Sequence, residues 1–279
     1  VPHFLNDAAI WFAKHVPLPA PLFTIGFLMV KAHNVIGHES YLLGQYSETG
    51  WWYYFPVVWF YKTPLPFTFL LAWGIVLLVR RCSSAAGDAP WRETLEPLLI
   101  ALAIMASVLG SSINIGIRHI LPIYAPLSMI AGYAVVEIWR RARDGFGRFA
   151  LAALLGWLFA GVAISHPDYL AWFNELAQPN PERIVVDSNL DWGQDVLRLA
   201  RVVRKHKIRN LKVLYAGNAW LFMHGIEAQP LAPYAPVQGW VAVSETALSF
   251  ENKLGGYKWL EHYKPAARIG KSIRLYYIP

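Results

Sequence analysis

The chain has few charged residues and a single cysteine. Asp, Glu, Lys and Arg make up 15% of its 279 residues, whereas about a quarter of an ordinary soluble domain is charged. Because Cys82 stands alone, an internal disulfide and a cysteine-rich metal site are both excluded. The sequence also lacks a phosphate-binding loop, a convincing zinc motif and a Ser-His-Asp order. The common nucleotide-binding and zinc-protease classes therefore do not fit.

Hydrophobic residues are abundant instead and form long runs. They make up 56% of the chain, the mean hydropathy is +0.32, and the formal net charge is +7. Much of the positive excess lies in two short loops, which is typical of membrane orientation rather than nucleic-acid binding. We expect a membrane all-α region of about four transmembrane helices, followed by a small soluble α/β domain.

The apolar runs predict the spans. A helix needs about 20 apolar residues to cross a bilayer. The predicted spans are 56–79, 98–117, 120–138 and 149–165. The second and third are separated only by Arg118 and His119, which predicts a tight antiparallel hairpin. Lys62, Pro64 and Pro66 lie near the start of the first span, where a lysine can snorkel and prolines are tolerated.

Residues 1–55 are apolar but interrupted, and we expect an outer-face loop or interfacial region. The run 16–30 is too short for a span, which favours an interfacial or re-entrant segment. The aromatic run 51–55 is typical of a belt at a membrane surface. The first residue is Val1 and no signal peptide is recognisable, so we expect this chain to be the C-terminal part of a longer protein.

The basic loops predict an orientation. The loop 80–96 carries three arginines and the loop 140–148 carries four. The positive-inside rule places both loops in the cytoplasm, as in a multi-pass protein of a bacterial inner membrane. The start of the chain, the Arg118 hairpin and the domain 166–279 then lie on the outer, periplasmic side.

The domain 166–279 changes character and alternates strand and helix patterns. This alternation is typical of a small α/β domain. The predicted strands are Arg183–Asp187, Leu211–Ala216, Trp240–Ser244 and Ile273–Ile278. The predicted helices are an amphipathic Asp191–Lys207 and a short Tyr257–Tyr263.

Three polar groups are candidates for chemistry. At the hairpin, Arg118 is a permanent cation suited to a lipid phosphate, although arginines at helix ends also serve as interface anchors. The loop 33–48 contains His38, Glu39 and Glu48, which could contact a sugar or head group. That loop could equally be a plain surface loop, and its spacing does not support metal binding.

The third group lies between a predicted strand and a predicted helix, where α/β proteins often place ligands. It contains Asp187, Asp191 and Asp195. A structural interpretation is also open, since acidic residues cap helices and favour the dipole of the first turn. We expect no cofactor and assign no metal ligand.

Three motifs occur together in order along the chain. They are the segment 41–64 with Gly44, Gly50-Trp51-Trp52 and Lys62-Thr63-Pro64; then Arg118-His119-Ile120-Leu121-Pro122-Ile123-Tyr124; then Asp187-Ser188-Asn189-Leu190-Asp191-Trp192-Gly193-Gln194-Asp195. The combination resembles bacterial relatives of the dolichyl-phosphate-mannose–protein mannosyltransferases, which are polytopic glycosyltransferases. The resemblance covers nearly the whole chain.

The resemblance implies an enzyme that moves a sugar from a polyprenyl-phosphate donor to a protein, lipid or glycan acceptor on the outer face. It implies a catalytic carboxylate in an outer loop upstream of Val1, so no catalytic residue is assigned here. Arg118 matches a basic position for the donor phosphate, and His119 and Lys62 are further candidates for that role.

Two other classes stay open. One is a non-catalytic membrane-anchored protein whose outer domain binds a glycan or a partner. The other is a lipid or glycan transporter, against which the scarcity of charges within the spans counts. The sugar, the acceptor and the role of the outer domain are not predicted.

Overall fold

A computed structural model describes residues 11, 14, 21–83, 91–142, 145–217 and 219–279. Its described α helices and strands are numbered here in chain order. The helices are α1 Pro21–Ile36, α2 Tyr54–Lys62, α3 Leu65–Ser83, α4 Trp91–Val108, α5 Tyr124–Arg141, α6 Gly145–Ser165, α7 Val196–Lys205 and α8 Glu245–Glu251. The strands are β1 Ser40–Leu42, β2 Gln45–Ser47, β3 Leu211–Leu214, β4 Ala228–Pro230, β5 Gly239–Ser244, β6 Ala267–Ile269 and β7 Ile273–Ile278.

Three helices among the described residues are long and apolar enough to cross a membrane. They are α3, the continuous helical segment Ile117–Arg141 that ends with α5, and α6. Three of the four predicted spans thus have a membrane-length helix. For the remaining one, α4, the described apolar part is the shorter stretch Leu95–Val108.

The first predicted span, 56–79, is wrong as a single helix. It is broken into α2 and α3 at Thr63, whose backbone is extended (φ −101°, ψ 132°). The cause is Pro64, because a proline disfavours the helical conformation of the residue before it. The spanning helix α3 begins after this break and ends at Ser83.

The second predicted span, 98–117, and the tight hairpin after it are also wrong. The helix α4 ends at Val108, and residues 111–116 lie outside any regular element. A 3-10 helix, Ile117–Ile123, then leads into α5. Small and polar residues at 110–116 compete with helix formation.

The region predicted as an outer-face loop, 1–55, contains regular structure where it is described. α1 is followed by a hairpin in which β1 and β2 pair antiparallel. Residues 16–20 of the predicted interfacial run lie outside the described residues, as do 84–90 and 143–144 in the predicted basic loops.

The C-terminal part contains a five-stranded mixed sheet with the order β4-β3-β5-β7-β6. β3 pairs in parallel with β4 and β5, whereas β7 pairs antiparallel with β5 and β6. The helix α7 covers one face through Val196, Leu199 and Val203. A second apolar cluster around Val241 and Tyr276 covers the other face.

Three predicted elements of this part need correction. Residues 183–187 are not a strand, because Ile184 and Val185 donate backbone hydrogen bonds to Pro181 in a helical turn. They are buried within an apolar cluster, and a short apolar run does not by itself distinguish a strand from other buried chain. The predicted helix 191–207 begins only at Val196. The predicted helix 257–263 is a 3-10 helix, Lys258–His262.

Candidate functional site

Hydrogen bonds join two segments that are distant in sequence, residues 115–117 and residues 188–189. The Ser188 hydroxyl donates to the carbonyl of Ile115. The Asn189 side chain accepts from the Ile117 amide (3.0 Å) and donates to the Tyr54 hydroxyl (2.9 Å). Asn189 is fully buried. Its hydrogen bonds hold the segment Asp187–Asp195, called here the acidic motif, beside residues 115–117, which lead into Arg118.

Gly116 is required for this close approach. A Cβ at position 116 would collide with the Ser188 hydroxyl. Glycine therefore lets the backbone of the helical region pass directly against the acidic motif.

A cavity of about 450 Å³ opens at this junction. Five of the residues that the sequence singled out line it: His38, Glu39, Arg118, Asp187 and Asp191. Its remaining lining residues come from several elements. They are Ile115, Trp192, Ala216, Gly217, Thr246 and Phe250.

Arg118 is exposed at the cavity, and its guanidinium lies over the Trp192 ring at 4.7 Å from the ring centre. Among the described residues, no acceptor receives a hydrogen bond from this guanidinium. Arginine presents five N–H donors in a planar fork that matches phosphate oxygens. Stacking on an indole orients the fork while leaving its donors open to an anion.

Asp187 lies at the cavity in a left-handed backbone conformation (φ 58°). One carboxylate oxygen accepts from the Ser188 amide, and the other lies 3.9 Å from Nε2 of His38. Burial raises the pKa of Asp187, and the Ser188 hydrogen bond and the charges of His38 and Arg118 partly offset this. Nδ1 of His38 is in turn 3.1 Å from Nε2 of His33.

Asp191 is the most enclosed acid of the cavity, with 5% of its surface exposed. Its Oδ1 accepts from the Gly193 amide at 2.9 Å. Its Oδ2 is buried and accepts no hydrogen bond from any described residue. Burial raises the pKa of Asp191 to about 6, and the negative charge of Asp195 adds to the shift, whereas the Gly193 amide and the nearby hydroxyls of Ser272 and Ser244 oppose it.

Asp195 does not belong to the cavity. Its Oδ1 pairs with Arg198 at 2.7 Å, and its Oδ2 accepts from the amides of Lys271 and Ser272 and from the Ser272 hydroxyl. Asp195 is fully buried. It ties the start of α7 to the turn between β6 and β7, so its role is structural.

The other predicted residues also lie outside the cavity lining. The ammonium of Lys62 donates to the carbonyls of Leu170 (2.6 Å) and Asn189 (2.8 Å), which makes it a tie between α2 and the C-terminal part. His119 is exposed and packs edge-on against the Phe55 ring. Glu48 is exposed beyond the β hairpin.

Sequence reasoning missed several lining residues. Trp192 lies within the motif that the sequence singled out but was assigned no role, and 48% of its surface is exposed in the structure. Thr246 and Phe250 lie in α8, far in sequence from the other lining residues. Nothing in the sequence around them indicates a binding site. Glu39 was found, but it also forms an ion pair with Lys253, which follows α8 in the 3-10 helix Asn252–Leu254.

No protein-family model, curated protein or solved structure matches this chain. The resemblance to the mannosyltransferase-like glycosyltransferases therefore stays a prediction. In the described part of the chain, no group of three or more His, Cys, Asp or Glu residues is arranged to hold a metal ion.

Proposed function

We propose that this chain is the donor-binding, C-terminal part of a membrane glycosyltransferase that uses a polyprenyl-phosphate sugar. The observation that carries the proposal is Arg118, an exposed guanidinium stacked on Trp192 at the mouth of a cavity near the ends of membrane-length helices. A lipid-linked phosphate approaches from the membrane, so its binding site belongs at such a helix end.

In this proposal α4 also spans the membrane, in addition to the three membrane-length helices, and the chain lies in a bacterial inner membrane. The basic loops face the cytoplasm, and the cavity and the sheet face the periplasm. With that orientation, the cavity opens towards the outer leaflet and towards a protein, lipid or glycan acceptor.

The proposed chemistry is an inverting displacement. An acceptor hydroxyl attacks the anomeric carbon, a carboxylate that is not assigned to any residue here takes its proton, and the bond to the lipid phosphate breaks. Arg118 stabilises the negative charge that develops on the departing phosphate. The residues of this chain thus bind the donor and assist its leaving group.

Binding of undecaprenyl phosphate to the purified chain in lipid nanodiscs tests the donor site. We expect Arg118→Ala to weaken binding at least tenfold, because a phosphate hydrogen-bonded to arginine is worth on the order of 1.5–3 kcal/mol. Arg118→Lys should recover only part of the affinity, since lysine keeps the charge but lacks the planar fork.

Arg209→Ala is the matched control, because Arg209 is an exposed arginine outside the cavity lining. Equal affinity in the wild-type, Arg118→Ala and Arg209→Ala proteins would contradict the donor site. That result would favour the anchor role for Arg118 and a non-catalytic protein that binds glycans or partners.

A further inference from the structure

A second cavity, of about 400 Å³, lies where the helix α6 joins the C-terminal part. Ile164 and Ser165 from the last turn of α6 form part of its lining. α6 is one of the membrane-length helices, and Leu151 is its only buried residue. A long apolar helix that is exposed almost all round faces lipid when it spans a bilayer. The end of α6 therefore places this cavity at the membrane surface, whichever way the chain is oriented.

Two cations of the cavity lining have N–H donors that are not in use. The Arg268 side chain is 40% exposed, and its Nη2 donates to the carboxylates of Glu182 and Glu245. Its Nε and Nη1 donate to no described residue. Lys271 is exposed, and its ammonium forms no ion pair within the described part of the chain. Such donors bind phosphate oxygens.

Two acids line the same cavity, and one of them is open to a ligand. Asp168 is already paired with Arg198 at 2.6 Å. Glu175 is exposed, and its Oε1 accepts from the indole N–H of Trp157 in α6 at 2.7 Å. Its Oε2 accepts no hydrogen bond from any described residue. Because Trp157 belongs to the spanning helix, this contact holds the carboxylate of Glu175 against the part of the chain that faces lipid.

We propose that this cavity binds the head group of a phospholipid that carries both a phosphate and a primary ammonium, as phosphatidylethanolamine does. Arg268 and Lys271 donate to the phosphate, and Glu175 accepts from the ammonium. Each charge of the head group then meets an opposite charge, which offsets the cost of removing both from water. The acyl chains lie along α6, beginning at Ile164, which is 84% exposed.

The proposed lipid site is separate from the donor-phosphate site. The linings of the two cavities share no residue. The proposal requires α6 to span a membrane, but it does not require sugar transfer.

Three lipids with identical acyl chains separate the proposed contacts. Phosphatidylethanolamine has the phosphate and an ammonium with N–H donors, phosphatidylcholine has a cation without N–H donors, and phosphatidylglycerol has no cation. Native mass spectrometry of the full chain, released from detergent micelles that contain each lipid at equal concentration, measures the binding. We expect phosphatidylethanolamine to bind about tenfold more tightly than the other two, since only its ammonium forms charge-assisted hydrogen bonds with a carboxylate.

Two variants remove one contact each. Glu175→Gln keeps an oxygen for the Trp157 indole but removes the charge, so phosphatidylethanolamine should bind about tenfold more weakly and phosphatidylglycerol should be unaffected. Lys271→Gln should weaken the binding of both lipids several-fold, because both have the phosphate. Glu261→Gln and Lys264→Gln make the same changes at exposed positions outside the lining and should behave like the wild type. The replaced side chains are exposed, so melting temperatures should be unchanged.

Two results would overturn the lipid site: equal binding of the three lipids by the wild type, or wild-type affinity for phosphatidylethanolamine in both the Glu175→Gln and the Lys271→Gln proteins. The Arg118→Ala protein should bind phosphatidylethanolamine like the wild type, so failure of the donor-phosphate site would leave this result unchanged.

A soluble compound could offer the same chemistry as the lipid head group. Glycerophosphoethanolamine, which is the head group without acyl chains, tests this source by competition. We expect it to displace phosphatidylethanolamine only at far higher concentration, because it lacks the chains that lie along α6. Displacement at equal concentration would overturn the lipid assignment and give the cavity to a soluble phosphoethanolamine compound.

Discussion

At the scale of single residues, two aspartates four positions apart have opposite environments. Asp195 is buried with both carboxylate oxygens paired. Asp191 is buried with one oxygen unpaired. The first arrangement stabilises the fold, whereas the second costs stability and is typical of residues kept for binding or catalysis.

This contrast predicts opposite effects of the same substitution on thermal stability. Burial raises the pKa of Asp191 from 3.8 to about 6, so the folded state holds its proton more tightly than the unfolded chain does. Stability is then lost as pH rises through this window. Asp191→Asn removes that loss and should stabilise the protein at pH 7.5 by on the order of 1–3 kcal/mol. The gain should vanish below about pH 4.

Asp195→Asn is the control at the same sequence motif and should destabilise the protein by roughly 3 kcal/mol, since it leaves Arg198 and its neighbours without a buried anion. Melting temperatures of the detergent-solubilised proteins, measured across pH, check both changes. A lower melting temperature for Asp191→Asn at pH 7.5 would assign Asp191 a structural role.

The residue types of the site could be foreseen from the sequence, but not which of them meet. His38, Arg118 and Asp191 were singled out for their chemistry, and they share one cavity. Lys62 was equally plausible, yet its ammonium is occupied by two backbone carbonyls. Sequence spacing does not show such long-range hydrogen bonds.

At the scale of elements, the junction between the 3-10 helix Ile117–Ile123 and the acidic motif positions Arg118. Asn189→Ala would leave the Ile117 amide and the Tyr54 hydroxyl without this partner. We expect a stability loss of about 1–3 kcal/mol and weaker binding of undecaprenyl phosphate, although residue 189 lies outside the cavity lining. Melting temperature and nanodisc binding are the measurements.

Tyr54→Phe provides a graded comparison, because it removes one of these hydrogen bonds and keeps the ring. Its effect on both measurements should be smaller than that of Asn189→Ala. If binding survived intact in an Asn189→Ala protein of reduced stability, the junction would support the fold without positioning Arg118.

Helix existence was easier to predict than helix bounds. The apolar runs located α3, α5 and α6, because hydrophobic length is a strong signal. The break at Thr63 and the end of α4 at Val108 depend on Pro64 and on the small polar residues after Gly110. These turn signals were present in the sequence but were outweighed by the apolar composition around them.

At the scale of the whole molecule, the proposed orientation places the two ends of the bundle on opposite sides of the membrane. Cys82 is exposed at the cytoplasmic end of α3 in this proposal. In right-side-out vesicles, a membrane-impermeant maleimide should leave Cys82 unlabelled until the membrane is permeabilised. As the only cysteine of the chain, it gives an unambiguous signal.

The reverse probe is Cys82→Ser combined with Leu254→Cys. Leu254 lies after α8 with 84% of its surface exposed, and this variant should be labelled in intact vesicles. Two results together would show that the orientation is inverted: labelling of Cys82 without permeabilisation, and protection of the thiol introduced by Leu254→Cys. An inverted orientation would move the cavity to the cytoplasmic side.

The presence of membrane-length helices could be predicted from composition, whereas the arrangement of strands in the C-terminal part could not. Alternating patterns predicted β3, β5 and β7, but the order of strands in the sheet depends on pairings between distant segments. The cavity lies where that sheet meets the helical ends, so its shape is a property of the assembled chain.

The most direct test of the central claim is sugar transfer from a radiolabelled polyprenyl-phosphate sugar in membranes that contain the protein at its natural length. The account predicts transfer by the wild-type and Arg209→Ala proteins, and a sharp reduction by Arg118→Ala at equal amounts of inserted protein. Unchanged transfer by Arg118→Ala would contradict the proposal that this cavity holds the donor phosphate.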